Sequence, residues 1–231
     1  MSKFIYHHLG LGDHIICNGL VRELSKDSNN EYYLFSYYHN KESVEFMFRD
    51  INNLKIIGVD SDDSIRMFIQ NNNIHDENIH VAGVQYKSDW FPESTSFEES
   101  FYLQNNLNLN LKWDSFNVVR DLERELELER ILNISDNSDF VFIHDDARFP
   151  IDDNKINSKF KKIRVNRWST NNIFDYCSII EKAKEVHVIE SSFCFMIDSL
   201  KLNDCTYAHR YARFIDDFGT PDYKNIKQII E

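Results

Sequence analysis

The sequence predicts an α/β fold built of two small Rossmann-like lobes with a cleft between them. Three observations predict it. Short apolar runs alternate with helical patterns from the start of the chain to residue 84, in the order β-α-β-α-β-α-β. The same alternation restarts at Phe140, and an aromatic stretch followed by a charged helix separates the two series. Such an order makes parallel sheets covered on both faces.

In the first series, 3–9 reads as a strand and 13–25 as a helix, with Ile15, Ile16, Leu20 and Leu24 on one side. Strands follow at 32–38, 54–59 and 80–84, and helices at 42–50 and 62–70, the last capped by Ser61 or Asp62. From Tyr86 to Lys112 the period breaks into aromatic loops or short helices. A helix over 117–132 carries Arg120, Asp121, Glu123, Arg124, Glu125 and Glu127, charges expected on a solvated face. The second series has strands at 140–144, 162–165, 185–189 and 206–209, helices at 173–183 and 191–200, and a closing helix over 223–230. The predicted division is an N-terminal lobe over 1–112, a linker helix over 113–138 and a C-terminal lobe over 139–231, with the last helix free to pack back on the first lobe.

Composition narrows the function. The 231 residues carry 26 Lys and Arg against 38 Asp and Glu, a net charge of −12, which excludes a nucleic-acid binder with a basic face. A phosphorylated small molecule stays compatible, because a few local cations or a helix N-terminus can hold it. No apolar run reaches the length of a membrane span and no secretory pattern opens the sequence, so the expectation is a cytoplasmic protein without an integral membrane segment. Cys17, Cys177, Cys194 and Cys205 lack CxxC spacing and read as reduced thiols.

Three segments can carry chemistry. At the first strand–helix junction stand His7, His8, Gly10, Gly12 and Asp13. A dinucleotide fingerprint would need a third Gly at the position of Ile15, so NAD binding is disfavoured. Asp13 reads either as a general base toward a hydroxyl or as a helix N-cap. His144, Asp145, Asp146 and Arg148 end the first strand of the second series. Arg148 suits a phosphate, and His144 a phosphate or a ribose. Adjacent residues rarely converge on one ion, so no metal is expected there. Later, Glu190, Ser191 and Ser192 end a strand and open a helix, an arrangement that receives anions at the helix start and ribose hydroxyls at the carboxylate. Asn166 and Arg167, before Trp168, can add a polar group and a cation. Asp217-Phe218-Gly219 matches a kinase triplet without the rest of the kinase set.

Together, the Gly10-Leu11-Gly12-Asp13 turn, the strand Phe140-Val141-Phe142-Ile143-His144 and the late Glu190-Ser191-Ser192 turn resemble a GT-B glycosyltransferase of the ADP-heptose:lipopolysaccharide heptosyltransferase type. The resemblance implies a sugar transferred from a nucleotide-sugar donor to a hydroxyl of a glycan or lipid-linked acceptor. It implies an inverting, metal-independent reaction with Asp13 as base and no cofactor beyond the donor. Donor binding would fall to Gly12, His144, Arg148, Asn166, Arg167, Glu190, Ser191 and Ser192. The chain departs from the family in being about a hundred residues shorter and in lacking an evident diphosphate-binding Lys. Rival readings are an epimerase or hydrolase of sugar nucleotides, a non-catalytic nucleotide-binding module, and a protein-interaction scaffold.

Overall fold

The computed structural model describes residues 1–83, 96–135, 138–156, 159–165, 169–212, 221 and 223–230. The chain divides into two compact units, chiefly at Val119–Arg120.

The first unit is a four-stranded parallel sheet. Its strands are β1 (Ser2–His7), β2 (Glu31–Tyr37), β3 (Leu54–Val59) and β4 (Ile79–Ala82), in the order β3-β2-β1-β4. Central strands in such a sheet must bury both faces, and β1 and β2 do so with near-continuous apolar runs. On one face Phe4, Tyr6 and Phe35 pack with Ile65 of helix α4 (Asp62–Asn71). Ser61 caps that helix by accepting from the Ser64 amide, as its sequence predicts.

The predicted helix 13–25 is two helices, α1 (Leu11–Ile16) and α2 (Asn18–Leu24), with a bend at Cys17. The bonds Cys17 N–H to Asp13 O (2.8 Å) and Val21 N–H to Cys17 O (2.9 Å) carry the ladder across it. Next come α3 (Lys41–Met47), α5 (Phe97–Leu103) and α6 (Leu111–Asp114). The aromatic stretch therefore contributes a helix to the core: Phe101 and Tyr102 are fully buried, and the Tyr102 hydroxyl donates to Ile16 O at 2.6 Å. Trp90 and Phe91 lie outside the described residues. Helix α6 sits so close to α2 that a Cβ on Gly19 would fall 1.9 Å from Leu111 O. Lys112, fully buried, pairs there with Glu98. Beside β4, the last strand of the sheet among the described residues, Gln104 brackets Gly83, accepting from its N–H (2.7 Å) and donating to its carbonyl (3.2 Å), while Asn105 Nδ2 donates to Val81 O.

The second unit is a five-stranded parallel sheet. Its strands β5 (Phe140–His144), β6 (Lys161–Arg164), β7 (Glu185–Val188), β8 (Thr206–His209) and β9 (Gln228–Ile230) run in the order β6-β5-β7-β8-β9. The predicted helix 173–183 is a 3-10 turn at Ile173–Tyr176 followed by α8 (Cys177–Lys182), and α9 is Ser192–Leu200.

Two expectations are corrected. The closing helix over 223–230 is instead a bend and β9. The fully buried Asp198 carboxylate accepts from the amides of Lys224, Asn225 and Ile226, which fixes that backbone in a non-helical course and delivers Ile229 and Ile230 to the sheet edge. The charged helix begins only at Leu122 (α7, Leu122–Ile131), and not all its charges are solvated. Glu125 and Glu129, spaced i,i+4, are buried against α8: Glu125 takes Arg120 and the Ser178 amide, and Glu129 takes Ser178 Oγ and Lys182. Arg124 forks onto Asp175 at 2.8 and 2.9 Å. No helix among the described residues is long and apolar enough to cross a membrane.

Candidate functional site

In an open parallel sheet, ligands collect beyond the carboxyl ends of the strands where the strand order reverses. The first sheet reverses between β1 and β4 and the second between β5 and β7. Two of the three sequence-predicted segments fall at one of these points and the third at the other.

In the first unit the chain leaves β1 through His8 and Leu9 into Gly10, the N-cap of α1. Asp13 is the third residue of that helix, so the N-cap reading of Asp13 is corrected. Its half-buried carboxylate folds back over the turn, and a Cβ on residue 10 would stand 2.6 Å from Asp13 Oδ2. A bare backbone at Gly10 is thus what allows the carboxylate its position. Gly12 lies beside it, half-buried in the same turn.

His7 and His8 point to opposite faces, as alternation along a strand demands. His7 is fully buried, edge-on to the equally buried His14 (centroids 4.5 Å apart), and burial lowers its pKa to about 4. His8 is half-buried between Phe97 and Phe101 and sets its Cδ2–Nε2 edge against Gly83, whose φ of 140° and missing Cβ make the approach possible. Burial lowers its pKa as well, against the opposing field of Asp62. Asp62 accepts from the hydroxyls of Tyr6 (2.9 Å) and Tyr37 (3.2 Å). Asn40 Nδ2 donates to Leu9 O, tying the loop after β2 to the glycine turn.

In the second unit, the end of β5 and the start of α9 meet directly. His144 stacks on Phe193, with centroids 4.1 Å apart. Ser191 is the N-cap of α9 but makes no side-chain bond to the helix, and its buried Oγ has no hydrogen-bond partner among the described residues. Ser192 opens the helix. Glu190, buried, pairs with Arg210 (3.1 Å) and accepts from the Tyr223 hydroxyl (3.5 Å). Arg210 was not singled out from the sequence, although its place directly after β8 is the signal that could have found it.

Arg148 is exposed, and its guanidinium folds back on Asp146 at 3.0 Å within the same loop. Asp145 is engaged by Arg164 and by the Ile151 amide. Among the described residues, no group of three His, Cys, Asp or Glu could hold a metal ion. Asn166 and Arg167 lie outside the described residues, as does the triplet 217–219.

A hydrogen-bonded chain supports the Arg210 turn. Glu185 contacts His187 Nε2 (3.3 Å), His187 Nδ1 contacts His209 Nε2 (2.8 Å), and His209 Nδ1 contacts the Tyr211 hydroxyl (3.3 Å). An ionised carboxylate only accepts, so His187 carries its proton on Nε2 and accepts at Nδ1 from His209 Nε2–H. His209 then accepts from the Tyr211 O–H, whose oxygen accepts from the Asp152 amide (3.0 Å). One carboxylate sets every tautomer. Burial lowers both histidine pKa values, that of His209 to about 4.

No protein-family model and no curated protein matches this sequence. Among solved structures the chain is similar in fold to a glycosyl transferase family 9 protein from Veillonella parvula DSM 2008, with a TM-score of 0.55 and 10% identity over 90% of this chain and 80% of that one. The shared feature is the fold: parallel sheets with alternating helices in a two-lobed, GT-B-like plan.

Proposed function

We propose that the chain is a glycosyltransferase that moves a sugar from a nucleotide-sugar donor to a hydroxyl of a glycan or lipid-linked acceptor. One observation carries the reading. Each sheet reverses its order at a strand–turn–helix junction bearing chemically useful side chains, Asp13 in one and Glu190-Ser191-Ser192 in the other. The fold likeness to a family 9 chain supports it at the level of class.

In this reading Asp13 takes the acceptor hydroxyl proton while the oxygen attacks the anomeric carbon. The bond from that carbon to the nucleoside diphosphate breaks, and the diphosphate leaves with the electron pair. The unbonded Ser191 hydroxyl, the first turn of α9 and Arg210 concentrate donors where negative charge develops, the work a metal does in other transferases. His144 and Glu190 would hold the nucleoside, and Gly12 leaves room at the base. Arg148, Asn166 and Arg167 retain the donor-side roles implied by the resemblance, Arg148 by swinging away from Asp146. A single displacement inverts the anomeric centre. No cofactor and no metal is required, and the reaction would take place in the cytoplasm.

The test is a thermal-shift screen against nucleoside diphosphates and nucleotide sugars without added metal. A ligand at a hundred times its Kd stabilises the fold by about 2.7 kcal/mol. One nucleotide should raise the melting temperature, and Asp13→Asn should keep that shift while losing transfer by about 10²-fold or more. An unshifted protein across the panel would leave the scaffold reading, and an active Asp13→Asn would remove Asp13 as base.

A further inference from the structure

The first sheet carries a cleft near the amino ends of β1 and β2, away from the turn that holds Asp13. Its volume is about 480 Å³, within the range of small-molecule sites. Phe4 of β1, Tyr33 of β2 and Phe68 of α4 make its apolar floor, and the amides of Asn72, Asn73 and Asn78 stand among its polar groups. No Asp, Glu, Lys or Arg side chain lines it.

The floor selects a shape. Phe4 and Tyr33 are partners in the β1–β2 register and stand side by side, their centroids 5.1 Å apart and their planes 19° apart. Rings stacked in this way turn their edges, the positive part of the aromatic quadrupole, toward what lies beyond them. Phe68 tilts against Phe4 at 59°. Ring edges favour the π face of a planar ring.

The polar groups are preset. Asn72 Nδ2 donates to Phe68 O (2.8 Å), which leaves Oδ1 as an acceptor. Asn78 Oδ1 accepts from Lys3 Nζ (2.9 Å), which leaves Nδ2 as a donor. Asn73, left-handed at φ 49° just beyond α4, adds an amide whose side chain makes no hydrogen bond among the described residues. Charges near the cleft are engaged: Glu31 takes the Tyr33 hydroxyl (3.0 Å) and pairs with Lys55 (3.1 Å), and Lys3 also donates to Glu77 O (3.0 Å). An anion entering here would lose hydration without gaining an ion pair. A nucleobase is planar and uncharged, and its edge carries the donors and acceptors that Asn amides match.

We infer that this cleft is a binding site for a nucleoside, its base lying on Phe4, Tyr33 and Phe68 and held by the amides of Asn72, Asn73 and Asn78. The inference does not rest on the transferase reading, whose donor is held in the second unit and through its phosphates.

The test is saturation-transfer NMR with the full chain and the four ribonucleosides, titrated to give a Kd for each. At least one should bind, with more saturation on its base protons than on its ribose protons. Asn73→Gly keeps the left-handed backbone and removes only the amide, so its urea midpoint should match the parent while nucleoside binding weakens about tenfold. Asn78→Ala should weaken binding to a similar degree. No binding by any nucleoside, saturation mainly on the ribose, or parental affinity in both variants would each overturn the site. Loss of nucleoside binding in Ser191→Ala, with Asn73→Gly unaffected, would move the nucleoside to the proposed donor pocket and overturn it equally. If nucleosides bind through Asn73 while no nucleoside diphosphate or nucleotide sugar engages Ser191, the cleft stands and the transferase reading falls.

Discussion

Single side chains in this protein separate structural from chemical roles by what they leave unbonded. Ser191 is the clearest case: an N-cap residue whose hydroxyl caps nothing and is buried. Replacing a bonded N-cap Ser with Ala costs about 1 kcal/mol. Here Ser191→Ala should leave the urea midpoint unchanged within error and weaken nucleotide binding about tenfold. A drop in stability with unchanged nucleotide affinity would return Ser191 to an ordinary cap. Its position at a strand–helix junction was legible in the sequence, as were those of Asp13, His144 and Glu190, because local pattern fixes where strands end. Side-chain partners were not. Arg148 reads as a phosphate ligand by type, but Asp146, two residues away, holds it in its own loop, whereas Arg210 becomes relevant only once β8 lies beside β7.

At the scale of elements, the strands were readable as apolar runs and the helices as periodic ones, yet the closing segment was misread. Residues 223–230 have no long apolar period to decide between helix and strand. The decision comes from Asp198, some 26 residues earlier, whose carboxylate takes three consecutive amides. Short helices likewise owe their places to tertiary contacts. Helices α2 and α6 touch backbone to backbone at Gly19, and Asn18 bonds both the amide and the carbonyl of Asn117 nearby. Because the obstructing atom is a main-chain carbonyl, it cannot rotate aside. Gly19→Ala should therefore destabilise the first unit by about 3 kcal/mol, read as a lower urea midpoint with an unchanged m-value. A neutral outcome would mean that α6 can shift without loss.

For the whole molecule, the distribution of buried histidines predicts how stability follows pH. Burial holds His7 and His209 at about 4 and depresses His14 and His187, while the unfolded chain titrates them near 6.5. Between about pH 4 and 6.5 the unfolded state binds more protons, so stability rises with pH across that window and falls as the solution is acidified through it. It is fully present above 6.5. Urea midpoints at pH 7.5, 6 and 5 should fall in that order, before most carboxylates titrate. A flat profile would mean that these rings carry charge in the fold. Histidines at positions 7, 14, 187 and 209 gave no such signal in the sequence, because their neutrality is a property of the packed sheets.

The amides of Gln104 and Asn105 that meet the rim of β4 have a consequence for solubility. A parallel sheet that stops at four strands leaves a row of main-chain groups able to recruit a strand from another molecule. Here two side chains end the ladder by imitating the strand that would come next, answering Gly83 on both its polar groups and Val81 on its carbonyl. Among the described residues, side chains thus answer part of the border that β4 would otherwise offer to a strand from another molecule.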